Sequence, residues 1–316
     1  MFTKLIVVPL GYILGFIYQL VQSYGWSLII FTVIIKLLLL PLGLKQQKAT
    51  TKMQQVQPKL QEIQSKYAND QQKLSEETMK LYKEYGVNPM GGCLPLLIQL
   101  PILFGLYRVI YKPITFMLHK STEEVAALTE QYAANPEFIE KFGEIAGKAA
   151  NQAEILIAKA FDLVNFDFLG LDISATPSLG HPSLLWLVPI IAAVTTYLTS
   201  KVTTLMGGNN KKKDEEEKKP TRVLSPDQKT PSNGNSAESM TKTMSIMMPL
   251  MTLWITFTFP ATIGVYWTIS NVLSLLQTIL LNGYYKNKMQ VEVAEKSVMI
   301  EQEKAAKKAR YNHKKR

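Results

Sequence analysis

The stretch Trp26–Leu44, WSLIIFTVIIKLLLLPLGL, decides the fold class. It is long enough to cross the ~30 Å hydrocarbon core of a bilayer as a helix, and Lys36 is its only charged residue. At ~1.5 Å rise per residue, Lys36 falls roughly 15 Å from Trp26 and roughly 12 Å from Leu44. Over such distances a lysine arm snorkels only partway to water. A charge at a helix centre costs about 2.5–3.5 kcal/mol on insertion scales, so intramembrane cations usually face a bundle interior or a wet cavity. The alternative is a tilted helix whose lysine thins the surrounding lipid.

The rest of the chain repeats this division into apolar blocks and charged connectors. Of 316 residues, 47% are hydrophobic, yet the mean hydropathy is only +0.03, so the apolar residues are segregated. Blocks long enough to span fall at 26–44, 92–112, 184–206, 243–259 and 260–283. The last two form one run too long for a single crossing, and Pro260 and Gly264 mark where it folds back. The expectation is an all-α integral membrane protein, a five-span helical bundle, because open sheets leave backbone groups unsatisfied in lipid. Residues 1–25 are apolar but interrupted by Pro9, Gly11 and Gly15, and no signal-peptide cleavage site is evident. They are expected to form an N-terminal interfacial helix, with an extra span or signal anchor as the alternative.

Charge orients the chain. Segments 45–91, 206–242 and 284–316 carry more Lys and Arg than Asp and Glu, whereas 113–183 carries four cations against ten anions. By the positive-inside rule the three basic segments are cytoplasmic, which puts the N-terminus outside and the C-terminus inside a bacterial cell membrane. Arg108 and Lys112, at the outer end of the second span, read as interfacial anchors.

Within 45–91, Met53, Val56, Leu60, Ile63 and Tyr67 recur at three- and four-residue steps, the seam of an amphipathic helix. Asn69-Asp70 form a turn, and Leu74, Leu81, Tyr82 and Tyr85 carry a second apolar face to Gly86. This predicts a cytoplasmic helical hairpin, with Pro58 starting or kinking its first helix. The acidic segment 113–183 is expected to be a small cap with helical patches around 122–133, 136–150 and 151–163, followed by a loop. Segment 207–242 has the composition of a disordered loop. The tail ends in a basic stretch, 304–316, suited to anionic lipid or to ribosomal RNA.

Catalysis and metal binding find little support. Cys93 is the only cysteine and the three histidines are scattered, so no metal site and no disulfide is expected. No phosphate-binding loop occurs, no cofactor is implied, and the chain does not read as an enzyme. The polar residues of the spans are more telling. Besides Lys36 they include Gln99, Thr195, Thr196, Thr199, Asn271, Ser274 and Gln277. Threonine and serine bond their own helix, but the amides suggest a wet interior. Tyr266 and Trp267, near the outer end of the last span, read as part of an aromatic belt. No span contains Asp or Glu, so the usual carboxylate of a pump is absent and Lys36 suits an anionic visitor.

Three blocks resemble one family. FTVIIKLLLLPL (31–42) with the hairpin sequence after it, NPMGGCLPLLIQLPIL (88–103) and FPATIGVYWTISNVLSLLQT (259–278) are similar to the YidC membrane protein insertases, in their shorter, Gram-positive form. The resemblance implies that the spans enclose a hydrophilic groove open to cytoplasm and lipid. It implies nascent membrane proteins as clients, handled alone or with the Sec translocon. It assigns Lys36 to the groove cation, which is usually arginine, and Trp267 to a groove aromatic. Thr199 falls where the third span usually offers glutamine. Gln99, Asn271 and Gln277 join the same groove, and Met53, Val56, Leu60, Ile63 and Tyr67 form a client-recruiting face on the hairpin. A small-anion channel or transporter, or an assembly scaffold for membrane complexes, are the competing functional readings.

Overall fold

The computed structural model describes residues 1–88, 94–145, 152–206 and 236–314. The start of the expected second span and most of the expected loop 207–242 lie outside these residues. The described chain is almost entirely helical. Among the described residues, three helical stretches are long and apolar enough to cross a membrane: Thr3–Val21, Leu184–Thr203 and Ala261–Lys307. A fourth is added if the broken pair Tyr24–Leu38 and Leu40–Lys66 is counted as one span. The chain divides into two compact units, one made of Met1–Leu40, Pro95–Thr196 and Met248–Leu273, the other of Pro41–Leu94, Tyr197–Met247 and Ser274–Arg316.

In the first unit, a π-helical turn (Thr3–Val7) leads into α1 (Val8–Val21), and α2 (Tyr24–Leu38) packs against it. Val7, Leu10, Leu14 and Ile17 recur at helical spacing and are buried against a matching stripe of Tyr24, Leu28, Phe31 and Ile35. Gly11 and Gly15, which look like breaks in the sequence, do not interrupt the helix. A Cβ at Gly11 would strike the carbonyl of Phe116, and one at Gly15 that of Met117. The glycines thus serve close backbone approach, as small residues four apart do in membrane helices. Residues 26–44 are not one straight helix, because the helix breaks at Leu39. Pro41 has no N–H to offer the carbonyl four residues earlier, and its ring crowds that carbonyl.

Next come α5 (Leu94–Tyr111) and a cap built from α6 (Pro113–Phe116), α7 (Thr122–Ala133), α8 (Pro136–Phe142) and α9 (Ala153–Ala160). Ser121 and Glu124 form a reciprocal capping box at α7, and Asn135 caps α8 ahead of Pro136. Glu154 is 7% exposed; its carboxylate accepts from the Thr115 backbone N–H at 2.9 Å and from the Thr115 hydroxyl at 2.8 Å, tying α9 to α6. The stretch expected as loop contains a two-residue hairpin, β1 (Asp167–Phe168) and β2 (Leu171–Asp172). Leu169 and Gly170 both have positive φ, the backbone that a tight two-residue hairpin turn needs.

The cap is strapped to helix ends in this unit through the main chain. The Tyr24 N–H donates to the Asn165 carbonyl at 3.0 Å, and the Ala261 and Thr262 N–H groups donate to the Ala175 and Ile173 carbonyls at 2.9 Å each. These are orphan donors of the first turns of α2 and α12 (Ala261–Lys314). α10 (Leu187–Met206) follows a 3₁₀ turn, Leu184–Trp186; α11 runs Ser236–Thr258, beginning before residue 243. The helix breaks at Phe259-Pro260, between α11 and α12. A Cβ at Gly264 would lie 2.6 Å from Val188 Cγ1, so this glycine permits close contact of α12 with α10.

In the second unit, α3 (Leu40–Lys66) and α4 (Gln71–Tyr85) form the expected helical pair. Pro58 lies inside α3 and does not start it. Asp70 caps α4 by accepting from the Lys73 N–H at 3.0 Å, which holds its carboxyl below the usual range. Gly86, with φ 59°, closes α4: its N–H donates to the Lys83 carbonyl, and the Val87 N–H donates to the Tyr82 carbonyl. Val56, Leu60, Leu81, Tyr85, Val87 and Val293 form a small core. The tail expected at 284–316 is helical through Lys314, as the continuation of α12, which has 54 residues.

Candidate functional site

Lys36 stands in the last turn of α2, half-buried, where a cation complements the free carbonyls of a helix end. One turn earlier, Thr32 is 1% exposed and its hydroxyl donates to the Leu28 carbonyl at 2.6 Å. Thr32 therefore satisfies itself within the helix, and Lys36 continues the inward stripe that Leu28 and Thr32 define.

Several polar groups of the first unit form pairs between helices. The Gln99 amide on α5 donates to the Tyr266 hydroxyl on α12. The Asn271 amide on α12 donates to Thr196 Oγ1 at 2.8 Å and to Thr195 Oγ1 at 3.4 Å on α10. Thr196 Oγ1 in turn lies 3.5 Å from Thr252 Oγ1 on α11. Amide and hydroxyl groups thus join α10, α11 and α12 where apolar packing alone would otherwise serve. Trp267 is half-buried against the core of the same unit. The opposite faces are apolar and exposed: Ile190, Ile191 and Val194 on α10, Leu250 and Trp254 on α11, and Val272 on α12. Such helices expose hydrocarbon outward and keep hydrogen-bonding groups inward, the arrangement that lipid favours.

Thr199 and Gln277 belong to the second unit. Thr199 is half-buried and its carbonyl accepts from the Thr203 hydroxyl at 2.8 Å. The Gln277 amide nitrogen lies 2.8 Å from where a Cβ on Gly43 would be. On the hairpin, Met53, Val56, Leu60 and Ile63 share one cluster, with Val56 and Leu60 buried. Tyr67 is half-buried beneath the Lys66 ammonium, 5.3 Å from its ring centre.

Sequence reasoning missed the role of Tyr266. It is 3% exposed and hydrogen-bonded inside the unit, so it is not part of a surface belt. The missed signal was periodic: Tyr266, Ser270, Ser274 and Thr278 recur every four residues along α12 as a polar stripe. Also missed was an apolar cleft of about 310 Å³ lined by Leu103, Phe104 and Tyr107 of α5 with Ile255, Phe259 and Ile263. Its residues look the same as any lipid-facing set in the sequence. Among the described residues no group of three or more His, Cys, Asp or Glu side chains gathers to hold a metal.

Comparison with known proteins gives the family. The family described as 60Kd inner membrane protein matches residues 16–288. Membrane protein insertase YidC 2 of Listeria innocua is 32% identical over 310 residues, covering 96% of this chain and 79% of the relative. Membrane protein insertase YidC of Clostridium acetobutylicum is 31% identical over 308 residues, covering 95% and 92%. Membrane protein insertase YidC of Helicobacter pylori is 26% identical over 284 residues, which are 90% of this chain but 37% of that protein. Matched over most of its length by relatives of this one kind, the chain belongs to the YidC family of membrane protein insertases.

Proposed function

We propose that this protein inserts nascent membrane proteins into a bacterial cell membrane through a hydrophilic groove, in which Lys36, Gln99, Trp267 and Asn271 face the client. The proposed topology has five spans, with the N-terminus outside and the C-terminus, the α3–α4 hairpin and the basic tail in the cytoplasm. Residues 1–25 then lie at the outer interface; as a further span they would instead carry the N-terminus to the cytoplasmic side. Anionic lipid or a ribosome would meet the basic residues 304–316, and the Sec translocon would be an occasional partner.

The observation that carries this reading is a polar interior in helices whose outer faces are apolar. A client's short polar flank enters the interior and is drawn toward Lys36. At ~4 Å and an effective dielectric of ~20, attraction between an ammonium and a carboxylate is about 4 kcal/mol. An aspartate alone at mid-membrane costs about 2.5–3.5 kcal/mol, so one cation offsets much of the barrier without trapping the client. The client's apolar span meanwhile meets the cleft lined by Phe104, Tyr107 and Ile255, and its partitioning into lipid gives the process direction. No covalent step is required.

The test is insertion by the purified protein in liposomes, using single-span clients with acidic or neutral translocated flanks. Lys36→Ala should slow the acidic client by about tenfold or more and leave the neutral one near its original rate. Lys36→Arg should retain both. Equal rates for wild type and Lys36→Ala on the acidic client would refute the assigned role.

A further inference from the structure

The face of the hairpin that its sequence marks for client recruitment is already occupied. Val56 and Leu60 of α3, with Leu81 and Tyr85 of α4, are buried, and the side chain completing their core is Val293 of α12. Ile300, two turns further along the same helix, packs on the edge of that core, and Met289, one turn before Val293, is fully buried. The positions are i, i+4 and i+11, one face of a helix. The α3–α4 seam is therefore a groove that accepts an apolar helical face, and the chain's own tail supplies one.

Charge adds to this apolar contact. Lys52 of α3 pairs with Glu292 at 2.6 Å. The Glu292 carboxyl is held below its usual range, chiefly by the hydrogen bond from Lys52 and further by the charges of Lys52, Lys48 and Lys296. Lys296 reaches the other end of the pair: its ammonium stands 3.5 Å from where a Cβ on Gly86 would be, at the carbonyl end of α4. These contacts are partly exposed, with the Lys52 and Glu292 side chains 17% and 40% exposed. Apolar anchorage rests on few side chains. Val293 is the one tail residue within the seam's buried core, and burying a valine favours the docked state by on the order of tenfold to a hundredfold, whereas a client span brings several larger side chains to the same groove.

We infer that residues 289–300 of α12 are the resting occupant of the hairpin seam and that an apolar helical segment of a nascent client displaces them. The hairpin then recruits clients by exchange, and its apolar residues remain covered between clients. The inference rests on the insertase reading above.

The test uses the full chain in liposomes with Cys93→Ser, Lys52→Cys and Glu292→Cys, and a short thiol crosslinker whose spacer is cleaved by reductant. A photoreactive benzoylphenylalanine replaces Ile63 at the rim of the seam. With the linker closed, insertion of a single-span client should fall about tenfold, and photo-adducts should run to α12 and not to the client. After cleavage both should recover. Equal insertion by closed and cleaved protein overturns the exchange while leaving the insertase reading intact. Absence of insertion after cleavage, with wild type equally inactive, overturns the insertase reading and the exchange with it. A second variant needs no linker. Glu292→Lys places a cation against Lys48 and Lys52, and should raise client adducts at position 63 about three- to fivefold. Unchanged adduct yield overturns the proposal as well.

Discussion

Two hydrophobic clusters among the described residues are built to different standards. The first joins α1, α2, α5, the cap and the start of α12, with Leu14, Leu28, Phe31, Leu106, Ile114 and Ile157 fully buried among many others. It is reinforced by main-chain straps to the cap and by a buried carboxylate that ties α9 to α6. The second, in the hairpin unit, rests on Val56, Leu60, Leu81, Tyr85, Val87 and Val293, with a partly exposed ion pair beside it. Local stability follows the number of buried apolar contacts and the shielding of hydrogen bonds. The first cluster is a scaffold, and the second is a place where segments can open and close at modest cost.

The sharpest way to break the scaffold is at Gly11. Gly11→Leu drives a side chain into the Phe116 carbonyl, and backbone cannot yield as a side-chain tip does. The expected cost is about 4 kcal/mol or more, in the range where a membrane protein of ordinary stability no longer folds. It would be read as loss of monodisperse protein after detergent extraction. Normal yield and thermal stability would show that α1 does not seat on α6 as described.

A core truncation in the hairpin unit should have a smaller and local effect. Leu60→Ala removes a buried side chain at an expected cost of about 2–5 kcal/mol, which exceeds what so small a cluster can lose. Amides of α3, α4 and the 289–300 segment should lose hydrogen-exchange protection, while those of α1 and α2 keep theirs. Parallel loss in α1 and α2 would mean that the two clusters unfold as one.

The smallest effect is a pH dependence. The folded pKa of Glu292 is depressed, so its contribution is present above the unfolded carboxyl pKa and is lost as pH falls through the folded value. With its side chain 40% exposed, the pair is screened and contributes only ~0.2–1 kcal/mol. Protection of the 289–300 amides, corrected for intrinsic exchange, should decline below the carboxylate range in wild type and not in Glu292→Gln. An identical decline in both would assign the effect to another group.

Much of this architecture is written in local pattern. The apolar blocks, the turn at Asn69-Asp70, the stop at Gly86 and the helix break at Pro260 each follow from one rule of chain geometry. The amides inside the spans also announced themselves, because a helix cannot satisfy Gln99 or Asn271 alone. What could not be read depends on partners distant in sequence. Glu154 looks like any surface glutamate until Thr115 is beside it. Gly11 and Gly15 look like breaks until the carbonyls of Phe116 and Met117 approach. The tail reads as a basic helix, and nothing local in Glu292 or Val293 says that α3 holds them.

The straps that fasten the cap carry an evolutionary consequence. The bonds from Ala261 and Thr262 to the Ala175 and Ile173 carbonyls are made by the main chain, which every residue type possesses. Selection can therefore let residues 173–175 drift, provided they stay small or apolar enough to lie against the helix end. Between relatives the cap can change in length and wording while its attachment persists, and an alignment would record divergence where the architecture has kept its hold.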